Sequence, residues 1–349
     1  MEELLNNTNK LCQVGKGILA ADESTNTIGK RFAQINVENN LENRTSYRKL
    51  LFTTEDLNKY ISGVITYEET LSTMDNNAPL VKHLQDQNIL IGIKTDLGLK
   101  PLYGTNDEKV AQGLDNLDER CKKYYQMGAR FAKWRCVLKI DEGCPSNLSI
   151  SSNAEVLARY AAISQANGLV PIVEPEILMD GSHSIEETLD VTVNVIKTVY
   201  KRLVDHNVKL EATLLKPNMV RKGVDNDQVV TSQEIARLTL MALQRSVPVS
   251  VAGVVFLSGG MTEEEATCVL NDINIMKQYA PWTLSFSYGR ALQHSVLQEW
   301  RGKEENIKKA QLKLLERAKA NSLATLGKYT HQSNIDITDE SLHVKDYSY

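Results

Sequence analysis

The sequence predicts an α/β fold, a (β/α)₈ TIM barrel that forms a single domain with a flexible C-terminal tail. Two observations predict it: eight short apolar runs recur along the chain, and stretches with helical patterns separate them. The runs are nearly continuous in apolar residues rather than alternating, which is typical of parallel strands covered on both faces. A chain of 349 residues is long enough for one large α/β domain.

The eight apolar runs are the predicted barrel strands. In chain order they are GILAAD (17–22), ISGVITYEE (61–69), ILIGIKTD (89–96), ARFAKWRCVLKI (129–140), LVPIVEPEI (169–177), LEATLLKP (210–217), VAGVVFLSGG (251–260) and TLSFSYGR (283–290). Eight such strands alternating with helices favour a sheet that closes on itself.

Several of the intervening helices have readable ends. Ser184, Thr231 and Thr262 are each followed three residues later by a glutamate. This is the capping-box pattern, in which two side chains satisfy amide groups of the first helical turn. The stretch 153–168 ends on Gly168, a residue type that commonly follows a helix C-terminus.

The helical and strand patterns run without a linker to about residue 328. After that point the periodicity is lost, and terminal segments without a pattern are often mobile. We therefore expect a catalytic barrel domain over residues 1–328 and a mobile C-terminal tail over residues 329–349.

The composition excludes several classes of function. A net charge of −4 and a pI of about 6.0 argue against a nucleic-acid-binding protein. No apolar run approaches the roughly 18 residues of a membrane span, and the polar start MEELLNNTNK is not a signal peptide. Five scattered cysteines and six histidines form no metal-binding pattern, so we expect reduced thiols, no metal and a cytoplasmic protein.

Most of the predicted strands end on polar or charged residues. The residues concerned are Asp22, Glu68, Lys94, Lys133, Arg135, Glu174, Glu176, Lys216, Ser258, Ser287 and Arg290. In a barrel enzyme the catalytic groups lie at the C-terminal ends of the strands. Residues two apart on a strand share a face, so Lys133 and Arg135, and likewise Glu174 and Glu176, are expected to point the same way. Any one such charge is usually just where a strand meets water, but so many together predict a charged barrel mouth.

A lysine in such a mouth suits imine chemistry. Desolvation and neighbouring cations lower the pKa of an ammonium group, and a neutral amine attacks a ketone to form a Schiff base. The iminium then draws electrons from an adjacent C–C bond, while carboxylates such as Glu174 and Asp22 move protons. Lys216, Lys133 and Lys94 are all candidates for this lysine, and the residue pattern does not choose between them.

Two stretches resemble phosphate pockets. LSGG (257–260) and SYGR (287–290) follow the seventh and eighth runs, where barrels often bind phosphate with backbone amides and a helix N-terminus. A second anion site is predicted at ADESTNTIGKR (21–31), although its simpler interpretation is an ordinary helix N-cap. Two anion sites flanking a lysine would suit a sugar bisphosphate.

Six segments together resemble class I fructose-bisphosphate aldolase, the metal-free Schiff-base type. They are GKGILAADEST, FAKWRCVLKI, VPIVEPEIL, TLLKPNMV, FLSGG and FSYGRALQ, in the order of that family. The resemblance implies a (β/α)₈ barrel, commonly a homotetramer, without a cofactor. It implies the glycolytic and gluconeogenic reaction, in which fructose 1,6-bisphosphate is cleaved to dihydroxyacetone phosphate and glyceraldehyde 3-phosphate. Family members are also reported to have cytoskeletal or membrane-receptor partners.

The same resemblance assigns the catalytic roles. Lys216 matches the Schiff-base lysine, and Glu174 matches the main acid/base, with Glu176 in support. Lys133 matches a lysine that assists carbinolamine formation and dehydration. Asp22 matches the aspartate that takes the C4 hydroxyl proton as C3–C4 breaks.

The resemblance also implies the substrate-binding residues. Those that match the cradle of one phosphate are Ser258, Gly259, Gly260, Ser287, Gly289 and Arg290. Those that match groups near the other phosphate are Ser24, Thr27, Arg31 and Lys94. Arg135 matches a neighbouring substrate-site arginine, and the final Tyr349 matches a tyrosine that helps protonate the enamine.

Other functions are weighed against this one. A sugar-phosphate isomerase would use Glu174 as a base without a covalent adduct on Lys216. A metal-dependent aldolase would need a histidine cluster that the chain does not offer. A scaffold protein with an inactive aldolase fold would be expected to have lost Lys216 or Glu174, and both are present.

Overall fold

The barrel is seen in a computed structural model, which describes residues 1–330, 341–345 and 347. Within this part of the chain, eight parallel strands close into a barrel in chain order, with β1 paired to both β2 and β8. They are β1 Gly17–Ala21, β2 Ile61–Thr66, β3 Leu90–Lys94, β4 Ala129–Leu138, β5 Val170–Ile177, β6 Leu214–Leu215, β7 Gly253–Phe256 and β8 Thr283–Tyr288. The predicted fold class is confirmed.

Helices surround this barrel. In the described residues they are α1 Glu2–Leu11, α2 Thr25–Gln34, α3 Leu41–Phe52, α4 Glu68–Ser72, α5 Lys82–Asp86, α6 Leu117–Gln126, α7 Asn147–Ala166, α8 Ile185–Asp205, α9 Ser232–Ser246, α10 Glu263–Met276, α11 Arg290–Trp300 and α12 Ile307–Thr325. Short 3₁₀ turns occupy Leu57–Lys59, Leu210–Ala212 and Glu304–Asn306. None of the helices in the described part has the length and apolar character that a membrane span requires.

The predicted helix starts are largely correct. Ser184 and Thr262 form complete capping boxes at α8 and α10. The Thr231 side chain accepts from the Glu234 amide at the start of α9. The reciprocal hydrogen bond from the Thr231 amide to the Glu234 side chain is not formed, so this capping box is incomplete. Gly168 follows α7 with a φ of +77°, as a residue after a helix end should.

Three local predictions are wrong. The second run was expected to be a strand through residue 69, but it ends at residue 66 and α4 begins at Glu68. The sixth run begins with a 3₁₀ turn, so β6 spans only Leu214–Leu215. Two small hairpins were also missed, Met74–Asp75 with Ala78–Pro79 and Leu99–Pro101 with Lys109–Ala111. Each has strands of two or three residues, too short to show a period.

The barrel interior is built in layers by the two-residue period of the strands. Its lower part is an apolar cluster that also receives Leu4 and Leu11 from α1. The inward side chains of this cluster include Ile18, Ala20, Phe131, Ile172 and Leu214. Moving two residues towards the C-terminal end of each strand gives the next layer: Asp22, Lys133, Glu174 and Lys216. Because residues two apart share a face of the strand, the inward orientation of the lower layer also points these four charged side chains into the mouth.

Phe131 fits inside the barrel because two facing residues are glycines. A Cβ on Gly92 would lie 2.2 Å from the Phe131 ring, and a Cβ on Gly63 would lie 3.0 Å from it. Such distances are far below van der Waals contact, so any side chain at position 92 must move the ring. The two glycines thus make room for the Phe131 ring inside the barrel.

Replacing Gly92 with alanine is expected to destabilise the fold by about 1–3 kcal/mol, the usual cost of overpacking a core. The urea dependence of unfolding measures this. The double variant G92A/F131L tests the cause, because leucine vacates the space that the new methyl group needs. We expect the double variant to lose less free energy of unfolding than the sum of the losses in the two single variants. Simple additivity would show that the ring is not the obstacle.

Candidate active site

Four charged side chains meet at the centre of the barrel mouth. Asp22, Lys133, Glu174 and Lys216 are 1%, 0%, 2% and 2% exposed. Lys133 Nζ lies 2.7 Å from Asp22 Oδ2 and 3.3 Å from Glu174 Oε2. Lys216 Nζ lies 3.1 Å from the other oxygen of Glu174, Oε1. Two carboxylates and two ammonium groups therefore alternate in a buried chain in which each charge has an opposite neighbour.

The electrostatics of this chain differ from the prediction for Lys133. Burial lowers the pKa of Lys133, but Asp22, Glu174 and Asp96 outweigh burial and hold it above its ordinary value. The expected lowering of the pKa is thus wrong for this lysine, because three carboxylates surround it rather than other cations. Burial raises the pKa of Asp22, yet Lys133, Lys216 and Lys94 together bring it down to about 2. At neutral pH Lys133 is an ammonium and Asp22 a carboxylate.

A second pair lies next to the chain. Arg135 Nε is 2.5 Å from Glu176 Oε2, and both side chains are buried. Burial raises the pKa of Glu176, but Arg135 outweighs it and the net shift is downward. The predicted shared face of Lys133 and Arg135 is confirmed, although Glu176 binds Arg135 and not the central lysines in these contacts.

A small cavity of about 30 Å³ opens beside Lys216. Its lining residues come from five strand ends, from α2 and from the segment near the C-terminus: Ala20, Arg31, Glu174, Glu176, Lys216, Leu257, Ser258, Gly259, Ser287, Gly289, Arg290 and Tyr347. Gly260 adjoins this set directly after Gly259. The structure thus gathers the residues of the first predicted phosphate pocket around Lys216.

The chemistry of this cavity suits an anion. Helix α11 begins at Arg290 directly after Gly289, so its partial positive charge lies at the cavity wall. The turn before α10 holds Gly259 and Gly260 at φ of +56° and +83°, a conformation that glycine adopts without strain. Ser287 Oγ is buried and has no hydrogen-bond partner among the described residues. A buried hydroxyl without a partner is costly, and a bound oxyanion would satisfy it.

The second predicted anion site is only partly assembled. Ser24 is the N-cap of α2, where its Oγ accepts from the Thr27 amide at 3.3 Å, so the simpler interpretation of this stretch holds in the structure. Thr27 and Arg31 line a larger cavity of about 470 Å³ at the rim of the mouth. Lys94 lies deeper, 2.7 Å from Asp96 Oδ1, and lines neither cavity.

The described residues near the C-terminus lie on this mouth. The Arg290 guanidinium donates to the Leu342 carbonyl and stacks on the Tyr347 ring at 4.3 Å. Arg135 Nη2 donates to the Tyr347 carbonyl at 2.9 Å, and Arg31 Nη2 donates to the Tyr347 hydroxyl at 3.2 Å. Tyr349 lies outside the described residues, as do 331–340, 346 and 348, so its role and the mobility of the tail stay predictions.

Sequence reasoning missed several contributing residues. Glu23 is buried beneath Arg31 and Arg48, and it is paired with both. It follows Asp22 directly, and adjacent residues of a strand face opposite sides. The two-residue period that predicts Asp22 at the mouth therefore excludes Glu23. Asp96 ends the third apolar run; besides its pair with Lys94, its Oδ2 accepts from the Arg135 amide at 3.3 Å. The first tyrosine of DYSY (346–349) was the available signal for Tyr347.

Comparison with known proteins identifies the family. A family model described as fructose-bisphosphate aldolase class-I matches residues 3–349. The chain belongs to the class I fructose-bisphosphate aldolase family. A fructose-bisphosphate aldolase of Dictyostelium discoideum is 56% identical over 352 residues, covering 100% of this chain and 98% of that protein. The cytosolic fructose-bisphosphate aldolase 4 of Arabidopsis thaliana is 57% identical over 349 residues, covering 99% and 89%.

A solved aldolase structure agrees with the barrel. It is the fructose-bisphosphate aldolase of Plasmodium falciparum in complex with TRAP and a small-molecule inhibitor, with a TM-score of 0.93 and 56% identity. The match covers 95% of this chain and 96% of that chain. The predicted family, fold and activity as a glycolytic carbon–carbon lyase are confirmed. Class I aldolases are metal-independent as a family, and the described residues of this chain contain no His, Cys, Asp and Glu cluster fit for a metal ion.

Proposed function

We propose that this aldolase cleaves fructose 1,6-bisphosphate through a Schiff base on Lys216. One observation carries the assignment: among the three candidate lysines, Lys216 lines the described cavity beside the anion-binding turn, whereas Lys133 and Lys94 do not. Lys133 is enclosed between two carboxylates and held as an ammonium, which is not a nucleophile. Lys94 is buried against Asp96.

Glu174 is placed to move the protons of imine formation. Its Oε1 lies 3.1 Å from Lys216 Nζ, within direct reach of the nitrogen that loses protons as the carbinolamine forms and dehydrates. Lys133 Nζ lies 3.3 Å from its other oxygen, Oε2, so Glu174 bridges the two lysines. Glu176 supports the site indirectly by fixing Arg135 as a substrate-site cation.

Asp22 takes the proton of the C4 hydroxyl when C3–C4 breaks. Its pKa of about 2 keeps it ionised at neutral pH, the state that a proton acceptor requires. The electrons of the broken bond move into the iminium of Lys216, which gives an enamine and releases the aldehyde product. Tyr349 is proposed to assist the later protonation of that enamine.

The two phosphates occupy opposite sides of Lys216. The keto carbon that reacts with Lys216 is separated from the first phosphate by only one carbon, so this phosphate belongs in the adjacent cavity. The residues proposed to bind it are Ser258, Gly259, Gly260, Ser287, Gly289 and Arg290. Those proposed near the second phosphate are Ser24, Thr27, Arg31 and Lys94, with Arg135 between the two sites.

The remaining proposals concern the whole protein. We propose a homotetramer that acts in the cytoplasm without a cofactor, with residues 1–328 as the catalytic unit and 329–349 as a mobile C-terminal tail. Relatives named as cytosolic or cytoplasmic isozymes support the location. The P. falciparum relative in complex with TRAP supports the idea of a second protein partner.

Borohydride trapping tests the central proposal. The protein is incubated with dihydroxyacetone phosphate, reduced with sodium borohydride, digested and mapped by mass spectrometry. We expect the added mass on the peptide that contains Lys216 and no added mass when the ketone is omitted. Cleavage activity without an adduct would contradict imine chemistry and favour an isomerase-like use of Glu174. An adduct on Lys133 or Lys94 would show that the wrong lysine has been assigned.

A further inference from the structure

Arg221 lies at the edge of the proposed phosphate cradle and has no place in the mechanism above. It follows Lys216 by five residues, in the loop that leaves β6. Its Nη1 donates to the Gly259 carbonyl at 3.1 Å. Gly259 belongs to the glycine turn whose neighbours, Ser258 and Arg290, line the cavity beside Lys216. The guanidinium is therefore attached to the anion-binding turn by this hydrogen bond.

The charge of Arg221 is poorly compensated. No carboxylate oxygen in the described residues lies within 4 Å of its guanidinium, and its hydrogen bond in this part of the chain goes to the Gly259 carbonyl. Burial lowers the pKa of Arg221, with Glu265 opposing the shift and Arg290 adding to it. Glu265 is committed elsewhere, since its Oε2 accepts from the Thr262 amide at 2.9 Å in the α10 capping box. A bound anion would compensate the charge of this partly buried cation, which lies near a second arginine.

We infer that Arg221 is a further phosphate-binding residue of the aldolase site. It favours ketose substrates that carry a phosphate on the carbon next to the keto carbon. The inference rests on the proposed use of this cavity for the first phosphate. Arg221 and Arg290 flank the Ser258–Gly260 turn, so a phosphate dianion seated there lies in the field of both guanidinium groups. One N–H of Arg221 holds the Gly259 carbonyl, and its other donors remain for phosphate oxygens.

The Gly259 contact gives Arg221 a second effect on the same phosphate. The turn takes positive φ at two successive glycines, and the arginine holds the carbonyl of the first of them. Because this bond fixes the Gly259 carbonyl, it restrains the turn whose amide groups are proposed to bind the phosphate. Arg221 is thus a positioning residue for the turn as well as a cation for the ligand.

Steady-state kinetics of R221Q test this inference. The substrates are fructose 1,6-bisphosphate and fructose 1-phosphate, which both carry a phosphate on C1, the carbon next to the keto carbon. We expect KM to rise on the order of 10-fold for both, because a hydrogen bond to a charged group is lost, while kcat changes less than about 3-fold. R237Q is the matched control, since Arg237 is exposed on α9, and its KM values should equal those of the wild type.

A ketone without a phosphate distinguishes a loss of phosphate binding in R221Q from damage to its fold. Borohydride trapping with dihydroxyacetone should give the same adduct yield in R221Q as in the wild type, because this ketone has no phosphate for Arg221 to bind. An equal loss of adduct with dihydroxyacetone and of affinity for fructose 1-phosphate would reduce Arg221 to a structural role and overturn the inference. Unchanged KM values for both phosphorylated substrates would overturn it directly.

R221K keeps the test decisive if loss of the Gly259 hydrogen bond unfolds R221Q. Lysine retains the charge but not the planar fork, so the KM of R221K for fructose 1-phosphate should rise about 3-fold or more above the wild-type value. A KM in R221K equal to the wild-type value would overturn a role for the guanidinium in binding the phosphate. Failure of the proposed function looks different, because the wild type itself would then trap neither ketone on Lys216.

Discussion

Replacing Lys216 with methionine is expected to lower kcat/KM for fructose 1,6-bisphosphate by at least about 10⁴-fold, the scale of loss seen when a covalent nucleophile is removed. Methionine matches the length of the side chain but has no amine, so no imine forms and no electron sink exists for C–C cleavage. Borohydride trapping with dihydroxyacetone phosphate should then show no adduct at position 216.

The fold of K216M should survive the substitution. Glu174 keeps Lys133 at 3.3 Å, so its charge is still compensated when the Lys216 ammonium is gone. K201M serves as the control, because the Lys201 side chain is 70% exposed on α8 and its ion pair with Asp205 is a surface pair. Its activity should equal that of the wild type. Cleavage by K216M within about 10-fold of the wild-type rate would contradict nucleophilic catalysis by this lysine.

Replacing Lys133 with methionine is expected to destabilise the protein by about 3–5 kcal/mol at pH 8, the usual cost of removing one partner from a buried ion pair. Lys133 is fully buried and touches both Asp22 and Glu174. Without it these two carboxylates lose the cation between them. Activity should also fall, on the order of 10²–10⁴-fold, because the proton-transfer groups change their ionisation.

The pH dependence of K133M gives the sharper measurement. In the wild type the folded-state pKa of Asp22, about 2, lies below the unfolded value of about 3.9. Its carboxylate therefore contributes stability above about pH 4 that is lost as the pH falls towards 2. In K133M we expect burial to raise the pKa of Asp22 above its unfolded value, so its contribution is present at low pH and lost as the pH rises.

The difference in free energy of unfolding between the wild type and K133M should therefore widen from pH 5 to pH 8. Urea unfolding at both pH values measures it. K82M is the matched control: Lys82 and Asp86 form an exposed pair at 2.7 Å, whose loss should cost about 0.5 kcal/mol or less at either pH. A K133M penalty that is the same at pH 5 and pH 8 would show that packing, not charge, makes Lys133 important.

Much of the site was predictable because the apolar core residues and the charged site residues follow the same two-residue period along the strands. A run of inward apolar residues fixes which face of each strand looks at the barrel axis, and the next inward position falls on Asp22, Lys133, Glu174 or Lys216. The ends of parallel strands meet at one rim, so residues far apart in the chain were expected to meet there. The family resemblance then supplied their roles.

What the sequence did not predict depends on contacts across the mouth. The raised pKa of Lys133 requires three carboxylates from different strands and loops around one ammonium, and their distances are set by the closure of the barrel. Glu23 and Arg221 lie outside the strand positions that alternation assigns to the mouth, so the two-residue period gives no signal for them. The placement of Tyr347 on Arg290 joins segments 57 residues apart that have no shared pattern.

The layered interior also limits how the gene can change. In β4, Phe131 and Lys133 face the barrel axis, while Trp134 belongs to the outer core between the sheet and the helices. A one-residue insertion or deletion within this strand would exchange the two faces, pointing an indole at the substrate and an ammonium at the helices. Substitutions can adjust this active site one residue at a time. Length changes in its strands cannot, so insertions and deletions tolerated by such a chain are expected in the loops.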